Sequence, residues 1–580
     1  MARAKTRRKM VDSTASASRK LPQSRLRSPL KGHAHSPLYG ERKSGRTDPD
    51  SELHVTLVLR RRFALPDVHF LGERPVHQRQ HLSREALARR HGHRADDLAM
   101  VKRFAREHQL HLGEVDPARR TVVLTGKARN MERAFAVSLV QMQHPRGSYR
   151  AVSGRPSLPR ELDGIVETVL GLSTRPCARR SRVHHTSTTK PFWTVLQMAR
   201  AYGFPREFGA TGQTIALIEL GGGYHDADLR KFFTHLRRPM PSISCVSIDG
   251  TTNSPAPAKE IRMLLDVIEG KRKLSDLPQE VLAAAQSTLE VTMDIELAAA
   301  LAPGAEIVVY MTPNTEQGIY HAVSRALREG KNLPCALSIS WGEPEPGVSK
   351  AYLDAVDDVL RDAAMLGVTV CVSSGDEGAM NGATDGKPVV NFPASSPHVL
   401  SCGGSSVHFP PGHLRESVWN CVMHGMHGAS GGGVSRHFQP PPWQKTCNVP
   451  LGPTGRRGRG VPDVAGPADP RQGCEIIAGQ ARYSSAGTSA VAPLWAALIA
   501  CLNTQLESRC GYITPLLYRI AAGGSSKPLR DITRGNNGFY DAAPGWNACT
   551  GLGSPMVDLL IEALRPPGSS SSAVPLRGAA

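Results

Sequence analysis

TIALIEL, at residues 214–220, is the first of four apolar runs that decide the fold of this chain. The others are EIVVY at 306–310, ALSIS at 336–340 and VTVCV at 368–372. None of the four alternates cleanly between apolar and polar residues, so each is expected to be buried on both faces. Helical patterns separate them, for example over residues 351–365. Strands of this kind that alternate with helices predict an α/β fold with a parallel sheet covered on both sides.

The chain before residue 193 has a different pattern. Apolar residues alternate from Leu53 to Leu59 and are followed by helical patterns and by a further strand pattern at 121–125. This mixture predicts a small α+β domain. The predicted boundaries are a disordered basic arm at 1–51, the small domain at 52–176, an exposed linker at 177–192, the large α/β domain at 193–565 and a disordered tail at 566–580.

Charge is distributed unevenly along the 580 residues. The formal net charge is +20 at pH 7, and 39 of the 71 Lys and Arg residues lie within residues 1–190. A basic segment ahead of a nearly neutral one is typical either of a nucleic-acid-binding module or of a domain that docks on an acidic surface of the same chain. No nucleic-acid recognition motif accompanies the charge. We therefore expect no nucleic acid partner.

Two further classes of protein are disfavoured. The longest apolar stretch, at 490–502, contains Pro493 and is shorter than the ~20 residues that cross a bilayer, so it predicts a core helix and no association with a membrane. The eleven cysteines are odd in number and include no C-x-x-C pair. They predict buried thiols rather than a zinc site or a dense disulfide framework.

Two carboxyl groups stand out in the helical pattern 287–301, for which Ser287 is the candidate N-cap. Glu290 and Asp294 are four residues apart, so both project from one face of the helix. No Lys or Arg lies between Ser287 and Pro303. A solvated acidic face would explain the pair, but its neighbours are apolar. The pattern therefore favours a buried dyad that shares a proton.

Three short motifs place special residues beside apolar elements. Ser489, in GTSA at 487–490, stands at the start of an apolar helix and is either a nucleophile or an N-cap. Asp376 follows the run 368–372, at the edge where α/β sheets bind ligands, and is either functional or a turn residue. The glycine run 431–433 matches no nucleotide-binding motif and favours close approach of a substrate backbone.

Seven motifs share one order over residues 190–565. They are Glu290-x-x-x-Asp294 with Ile295-Glu296, APGA at 302–305, SISWG at 338–342, Gly375-Asp376, GGGVS at 431–435, VPDVAG at 461–466 and GTSA at 487–490. This set resembles the sedolisin (serine-carboxyl) peptidases and is closest to their kumamolisin branch. RRTVVL at 119–124 and GIVETVLGL at 164–172 are similar to the activation prodomain of that family.

The resemblance implies a subtilisin-like catalytic domain behind a ferredoxin-like inhibitory prodomain, made as a self-processing zymogen. It implies an acid-active, monomeric serine-type endopeptidase whose substrates are polypeptides. Its catalytic residues would be the nucleophile Ser489, the general base Glu290, Asp294 behind that base and the oxyanion donor Asp376. Glu219 would extend the carboxyl network. The substrate-lining residues would be Trp341, Ser430, Gly431, Gly432 and Gly433.

The chemistry of these groups also favours acid. A carboxyl base has an ordinary pKa near ~4.3, and a carboxyl oxyanion donor has to be protonated, so both work where a histidine base would be charged. An acid-active peptidase has little use in a neutral cytoplasm. We therefore expect an extracellular location, even though the first thirty residues show no apolar signal-peptide core.

The resemblance further implies one Ca²⁺ site near the end of the catalytic domain. Its ligands would be Asp531, Ile532, Ala543, Gly545 and Asn547. The last of these departs from the family pattern, which commonly has Asp there, so binding is expected to be weaker. Two other departures concern the cleft. Asn391 stands where close relatives have Asp, and residues 254–286 are longer and more helical than the family's loop.

Two rival interpretations are weaker. An ordinary subtilisin also has GTSA at a helix start, but it needs a His-Gly-Thr/Ser motif early in the domain. The His-Gly pairs of this chain begin at 91, 424 and 427, which are not early positions of the large domain. A catalytically dead peptide-binding relative is disfavoured because the four implied catalytic residues are all present.

Overall fold

A computed structural model describes residues 26–35, 40–144, 147–180, 193–205, 208–383, 386–408, 414–422, 427–523 and 527–566. The predicted tail lies outside these residues apart from Pro566. The predicted linker is described only as far as Arg180. In this part of the chain an N-terminal domain precedes a large domain that begins at Trp193.

The N-terminal domain combines helices with antiparallel strands. Its elements are β1 (Arg27–Pro29), β2 (Arg42–Arg46), β3 (Glu52–Leu59), α1 (Val68–Glu73), α2 (Arg84–His91), α3 (Ala95–Glu107), β4 (His111–Asp116), β5 (Thr121–Lys127), α4 (Ala128–Phe135), β6 (Ser138–His144), β7 (Gly147–Ser153), β8 (Ser157–Pro159) and β9 (Val166–Leu170). The main sheet has the order β4-β5-β3-β9. With helices between β3 and β4 and between β5 and β9, this is the expected ferredoxin-like arrangement.

Two of these strands lie in the segment predicted to be a disordered arm. β1 pairs with β8, and β2 pairs with β6. The prediction for 1–51 is therefore wrong at these strands, while residues 1–25 and 36–39 lie outside the described part. β2 has the sequence RKSGR, which offers no apolar periodicity. Backbone hydrogen bonds to β6 hold it, and such bonds leave no signal in a hydrophobic pattern.

The large domain is an α/β structure. Its elements, with β10 ahead of them, are β10 (Arg179–Arg180), α5 (Val195–Ala201), β11 (Thr214–Glu219), α6 (Asp226–His235), β12 (Ser242–Ser247), α7 (Ala258–Ile268), α8 (Gln279–Leu301), β13 (Glu306–Met311), α9 (Glu316–Arg328), β14 (Ala336–Ile339), β15 (Trp341–Pro344), α10 (Lys350–Leu366), β16 (Thr369–Ser373), β17 (Asn391–Phe392), β18 (Leu400–His408), β19 (Arg415–Val418), β20 (Gly433–Val434), β21 (Gly460–Val461), β22 (Val464–Pro467), β23 (Cys474–Ala478), β24 (Ala481–Ser485), α11 (Thr488–Leu506), α12 (Thr514–Ala522), β25 (Leu529–Arg530), β26 (Ser554–Pro555) and α13 (Val557–Leu564).

The four apolar runs are β11, β13, β14 and β16 of the central sheet. Its order is β12-β13-β11-β14-β16-β18-β19, with β22 beside β18, and every pair except β18 with β19 is parallel. Ile215 and Leu217 of β11 belong to the core that α8 and α11 cover. Ala216 and Ile218 belong to the core that α9 and α10 cover. Both faces are buried, which confirms the predicted fold class.

Two long helices carry the candidate site. α8 begins at Gln279, so Ser287 lies inside it and donates its hydroxyl to the Ala283 carbonyl at 3.1 Å. The prediction that Ser287 caps the helix is therefore wrong. α11 is long and apolar enough to span a membrane, but 83% of its most apolar window is buried inside the protein. It is the predicted core helix. All eleven cysteines are free, and nine are buried.

Candidate active site

Glu219, Asp294, Asp376 and Ser489 lie together at the carboxyl edge of the central sheet, and Glu290 lies one helical turn before Asp294 on α8. Glu219 ends β11, Asp376 follows β16, and Ser489 stands in the first turn of α11. Carboxyl ends of parallel strands share one edge, and α8 passes beside α11 there. All of these groups are buried: Glu219, Glu290 and Asp294 are 0% exposed, Ser489 is 1% and Asp376 is 2%.

Ser340 connects the candidate nucleophile to the carboxyl pair. Its hydroxyl donates to Asp294 Oδ2 at 2.6 Å, and its carbonyl accepts from Ser489 Oγ at 3.4 Å. The sequence placed Ser340 inside the SISWG motif without assigning it a role. A hydroxyl residue at the exit of a fully buried strand is the signal that could have found it.

Glu219 and Asp294 form a carboxyl pair that no cation among the described residues neutralises. Burial raises the pKa of both groups, and their mutual repulsion adds to the effect for Asp294. Trp341 Nε1 donates to Glu219 Oε2 at 3.0 Å, which opposes the rise. Glu219 Oε1 and Asp294 Oδ1 have no N–H or O–H donor among the described residues. Two such neighbouring carboxyls are best satisfied by sharing a proton. The proton-sharing dyad predicted from the sequence is Glu290 with Asp294, and that pairing stays a prediction.

Asp376 is held beside the nucleophile by Thr488. The Thr488 backbone N–H and hydroxyl donate to Asp376 Oδ1 at 2.8 and 2.7 Å. Asp376 Oδ2 has no donor within the described part of the chain. Burial raises the pKa of Asp376 to about 7, although the Thr488 bonds oppose it. Since Oδ1 is already an acceptor twice, the proton of the neutral acid belongs on Oδ2.

Comparisons with known proteins decide the family. Residues 39–175 match the family described as pro-kumamolisin, activation domain. Over 565 residues the chain is 40% identical to kumamolisin of Bacillus sp. (strain MN-32), an alignment that covers 93% of this chain and 97% of the relative. The chain belongs to the sedolisin (serine-carboxyl) peptidase family. Its N-terminal domain is the activation prodomain, and its large domain is the peptidase domain.

One further relative and one solved structure are also similar to this chain. Tripeptidyl-peptidase sed5 of Aspergillus fumigatus is 27% identical over 93% of this chain and 97% of its own length. The solved structure of a Pseudomonas sedolisin, described as a serine-carboxyl proteinase complexed with pseudo-iodotyrostatin, matches with a TM-score of 0.54 at 23% identity. It covers 64% of this chain and 98% of that one, and it supports the fold alone.

In this chain the prodomain docks through arginine side chains on acidic residues of the peptidase domain. Arg61 contacts Asp358 at 2.6 Å and Asp362 at 2.9 Å, both on α10. Arg120 pairs with Asp358 as well. Burial would raise the pKa of Asp358, but Arg120 and Arg61 outweigh it and hold the pKa below its usual range. The basic N-terminal segment of the chain therefore does dock on an acidic surface of the same chain.

The segment after the prodomain lies against the peptidase domain. β10 pairs antiparallel with β15, with Arg179 opposite Gly342 and Arg180 opposite Trp341. Arg179 Nε lies 2.9 Å from both carboxylate oxygens of Glu343. Cys177 and Ala178 are buried and Arg179 is half-buried, so the predicted exposed linker is wrong at 177–179. Asn314 accepts from the backbone N–H groups of Cys177 and Ala178, and pairing with β15 holds Arg179. These contacts, which composition does not reveal, protect the segment.

The predicted substrate-lining residues are buried. Trp341 supports Glu219, and Ser430 Oγ donates to the Cys549 carbonyl at 2.6 Å. A Cβ on Gly431 would lie 2.4 Å from the Ser374 carbonyl oxygen, and one on Gly432 would lie 2.1 Å from the Ala548 carbonyl oxygen. The close approach that these glycines permit is thus to the enzyme's own backbone. Gly433 follows them in β20, and substrate contact at this run stays a prediction.

The predicted calcium ligands are brought together, but they do not fit the ion as arranged. The Asn547 side-chain nitrogen donates to the carbonyls of Ile532 at 3.1 Å and Ala543 at 3.2 Å. The Gly545 N–H donates to Asp531 Oδ2 at 2.8 Å. Ca²⁺ takes oxygen ligands, and an N–H group cannot coordinate it. The prediction that Asn547 supplies a weak oxygen ligand is therefore wrong for this arrangement.

A second acidic group gives no support for a metal. Glu114, Asp116 and Glu329 place carboxylate oxygens within 4.8 Å of one another. Arg119 contacts all three, at 2.7 Å for Asp116 and 3.6 Å for Glu329. Arg325 adds a contact to Glu114 at 2.7 Å. These carboxylates belong to an ion-pair network between prodomain and peptidase domain.

Proposed function

We propose that this chain is an acid-active serine endopeptidase made as a self-processing zymogen. The hydrogen-bonded path from Asp294 through Ser340 to Ser489, inside a carboxyl cluster, is the observation that carries the proposal. In this mechanism Ser489 Oγ attacks the peptide carbonyl carbon while Glu290 takes its proton. Glu290 then returns the proton to the leaving amine, and water repeats the cycle on the acyl-enzyme. Asp294 lies one helical turn behind that base, and Glu219 extends the carboxyl cluster.

Asp376 is proposed as the donor to the oxyanion. Its raised pKa supports this role because the side chain then carries a proton throughout the acid range. The proton on Oδ2 would be donated to the tetrahedral intermediate, together with the backbone N–H of Ser489. Ser489 lies at the start of α11, and helix N-termini stabilise negative charge. This position supports its backbone N–H as the second donor to the oxyanion.

The docking of β10 supports cleavage within a chain rather than only at its end. β10 is bound as an added strand along β15, which is how many proteases hold extended peptides. Asn314 also contacts it, donating to the Ala178 carbonyl at 2.8 Å. The antiparallel register directs this strand toward Ser340, the partner of Ser489. A peptide bound in this way reaches the site with the prodomain still attached ahead of it, so no free N-terminus near the site is needed.

Self-processing is tested with the full-length chain and its Ser489→Ala variant. Both are incubated at about pH 4, and their N-termini are sequenced before and after. The wild type should acquire a new N-terminus within 181–192, and the variant should stay intact until a trace of processed wild type is added. Cleavage of the pure variant at the same bond would remove Ser489 from the reaction.

Endopeptidase activity is separated from tripeptidyl-peptidase activity with one internally quenched peptide in two forms. One form has a free N-terminus, and the other is acetylated. An endopeptidase should cut both forms at the same bond. Release of tripeptides from the free form alone would replace the endopeptidase proposal with an exopeptidase one.

A further inference from the structure

The side-chain amide of Asn547 lies where the family resemblance places a cation. It bridges two stretches of the chain, because its nitrogen donates to the Ile532 carbonyl and to the Ala543 carbonyl at 3.1 and 3.2 Å. These carbonyl oxygens are two of the predicted ligands of a bound Ca²⁺. The two hydrogens of one amide therefore satisfy them without a metal.

The orientation of this amide follows from its partners. Asn547 Oδ1 accepts from the backbone N–H of Cys549 at 3.1 Å and from that of Thr550 at 3.0 Å. The Thr550 hydroxyl donates to the same oxygen at 3.1 Å. Three donors around one atom identify it as the oxygen, and two carbonyls around the other identify it as the nitrogen.

A rotation that offered the oxygen to a metal would be costly. It would turn the amide hydrogens toward the N–H groups of Cys549 and Thr550 and leave those buried donors without an acceptor. The backbone cannot relieve this by moving, because Asn547 and Gly551 exchange hydrogen bonds at 3.1 and 2.9 Å. The residue is also only 4% exposed.

Among the predicted calcium ligands, one carboxylate oxygen of Asp531 is still available to a metal ion. Asp531 Oδ2 accepts from the Gly545 N–H, whereas Asp531 Oδ1 is buried and has no donor among the described residues. A single carboxylate oxygen falls short of the roughly six to eight oxygens that Ca²⁺ requires. An aspartate at 547 would add a second carboxylate and free the two carbonyls, without moving the backbone.

We propose that in this chain the Asn547 amide has replaced the calcium ion, so that the wild-type protein neither binds Ca²⁺ at this site nor needs it for stability. A single change, Asn547→Asp, restores the site. The proposal concerns metal binding and thermal stability. It is independent of the proposed peptidase mechanism and is tested on protein that has no activity.

The test uses the full chain carrying Ser489→Ala, which cannot digest itself during heating. Its thermal unfolding is recorded in a chelator and in millimolar Ca²⁺, and Ca²⁺ binding is measured by calorimetry. The same is done with Asn547→Asp added. The matched control adds Asn537→Asp instead, which changes a buried asparagine that donates to the Ala548 carbonyl at 3.1 Å, outside the ligand set.

The protein with Asn547 should keep its melting temperature within about 1 °C in chelator and should bind no Ca²⁺. Asn547→Asp should gain on the order of 5 °C in saturating Ca²⁺ and bind one ion, because a ligand specific for the native state stabilises it by mass action. The Asn537→Asp control should show no gain.

Two results would overturn the proposal. One is that the protein that retains Asn547 binds one Ca²⁺, or that its melting temperature falls by several degrees in chelator. The other is calcium indifference in folded Asn547→Asp, since the loop would then not be a calcium loop at all. If Asn547→Asp does not fold, the chelator and calorimetry measurements on the Asn547 protein decide the question alone.

Discussion

Two groups of acidic side chains in this molecule are both withdrawn from water yet behave in opposite ways. In the active site, burial raises the pKa of Asp294. At the prodomain interface, burial acts on Asp358 in the same direction, but Arg120 and Arg61 reverse it and the pKa falls. The Asp358 side chain is 22% exposed and Asp294 is fully buried, but burial acts upward on the pKa of both, so at Asp358 the two arginines decide the direction. The raised pKa suits the active-site carboxyls to proton exchange, whereas the lowered pKa keeps Asp358 charged and paired with the prodomain arginines.

The same contrast bears on how acid would open the zymogen. Asp358 keeps its charge to low pH because its pKa is depressed, so its ion pairs persist through mild acid. His69 and His81 of the prodomain behave differently. Burial lowers the pKa of each to about 4, so docking holds both in the neutral form. Protonation of the undocked prodomain therefore begins at a higher pH than loss of the Asp358 pairs.

The largest effect on activity is expected from substitutions of the proposed catalytic residues. Ser489→Ala and Glu290→Gln should each lower kcat/KM by about 10⁴-fold or more, because nucleophile and base act as a unit. The measurement is peptide cleavage at about pH 4 after a separate protease has removed the prodomain. Glu296→Gln is the control, since this buried carboxyl of α8 accepts from the Ile477 N–H at 2.9 Å. Near-normal turnover by Ser489→Ala or Glu290→Gln, in protein shown to be folded, would contradict the catalytic roles assigned to these residues.

Asp376→Asn should lower kcat/KM by about 10²-fold and also change the pH profile. A carboxyl donates only while protonated, so with a pKa of about 7 the donor is present below that pH and is lost as the pH rises through it. An amide donates at every pH. The alkaline limb should therefore flatten in the variant. A pH–rate profile of unchanged shape would mark Asp376 as a turn residue.

Asp358→Asn should open the zymogen at neutral pH. The change leaves Arg61 and Arg120, whose side chains are 8% and 2% exposed, without their shared carboxylate. Loss of one member of a buried ion pair should raise the opening constant by about 10²-fold. Hydrogen exchange of α10 in full-length Ser489→Ala measures this opening.

The matched control for that change is Asp354→Asn on the same helix. Asp354 pairs with Lys350 at 2.7 Å, and both side chains are more than half exposed. Exposed pairs of this kind contribute little, so a change of about twofold or less is expected. Equal effects of the two substitutions would show that the buried arginine pairs are not what holds the prodomain.

The effect that is smallest at neutral pH concerns the histidines, because their uptake of protons begins only below about pH 6.5. As the pH falls from about 6.5 to about 4, the undocked prodomain takes up protons that the docked one cannot. Opening should therefore increase by up to about tenfold per pH unit for each histidine. His69 faces Asp67, Asp357, His398 and Arg361, whereas His81 faces Arg79 and Arg509.

The check is hydrogen exchange of α10 at several pH values, corrected for the intrinsic exchange rate, in Ser489→Ala and with His81→Gln added. Glutamine does not titrate, so the slope of opening against pH should be shallower in the second protein. Identical slopes would leave cleavage after Arg180 as the trigger for prodomain release.

Much of the fold and of the candidate site was predictable from local patterns. Runs such as 214–220 have no alternation, and the structure buries them between two apolar cores because each face must be covered. Motif order along the chain identified the family before any geometry was known. Where prediction failed, the missing signal was a contact with a distant segment: β2 pairs with β6, and residues 177–179 lie against Asn314 and β15.

The sequence by itself determined the fold class, the candidate catalytic residues and the separation of charge along the chain. Only the tertiary structure decided which groups face each other. It placed Ser340 between Asp294 and Ser489, set Arg120 against Asp358, and turned the Asn547 nitrogen toward two carbonyls. The physical reason is that a pKa or a metal site depends on the charge and the donors within a few ångströms. Those neighbours come from segments far apart in the chain.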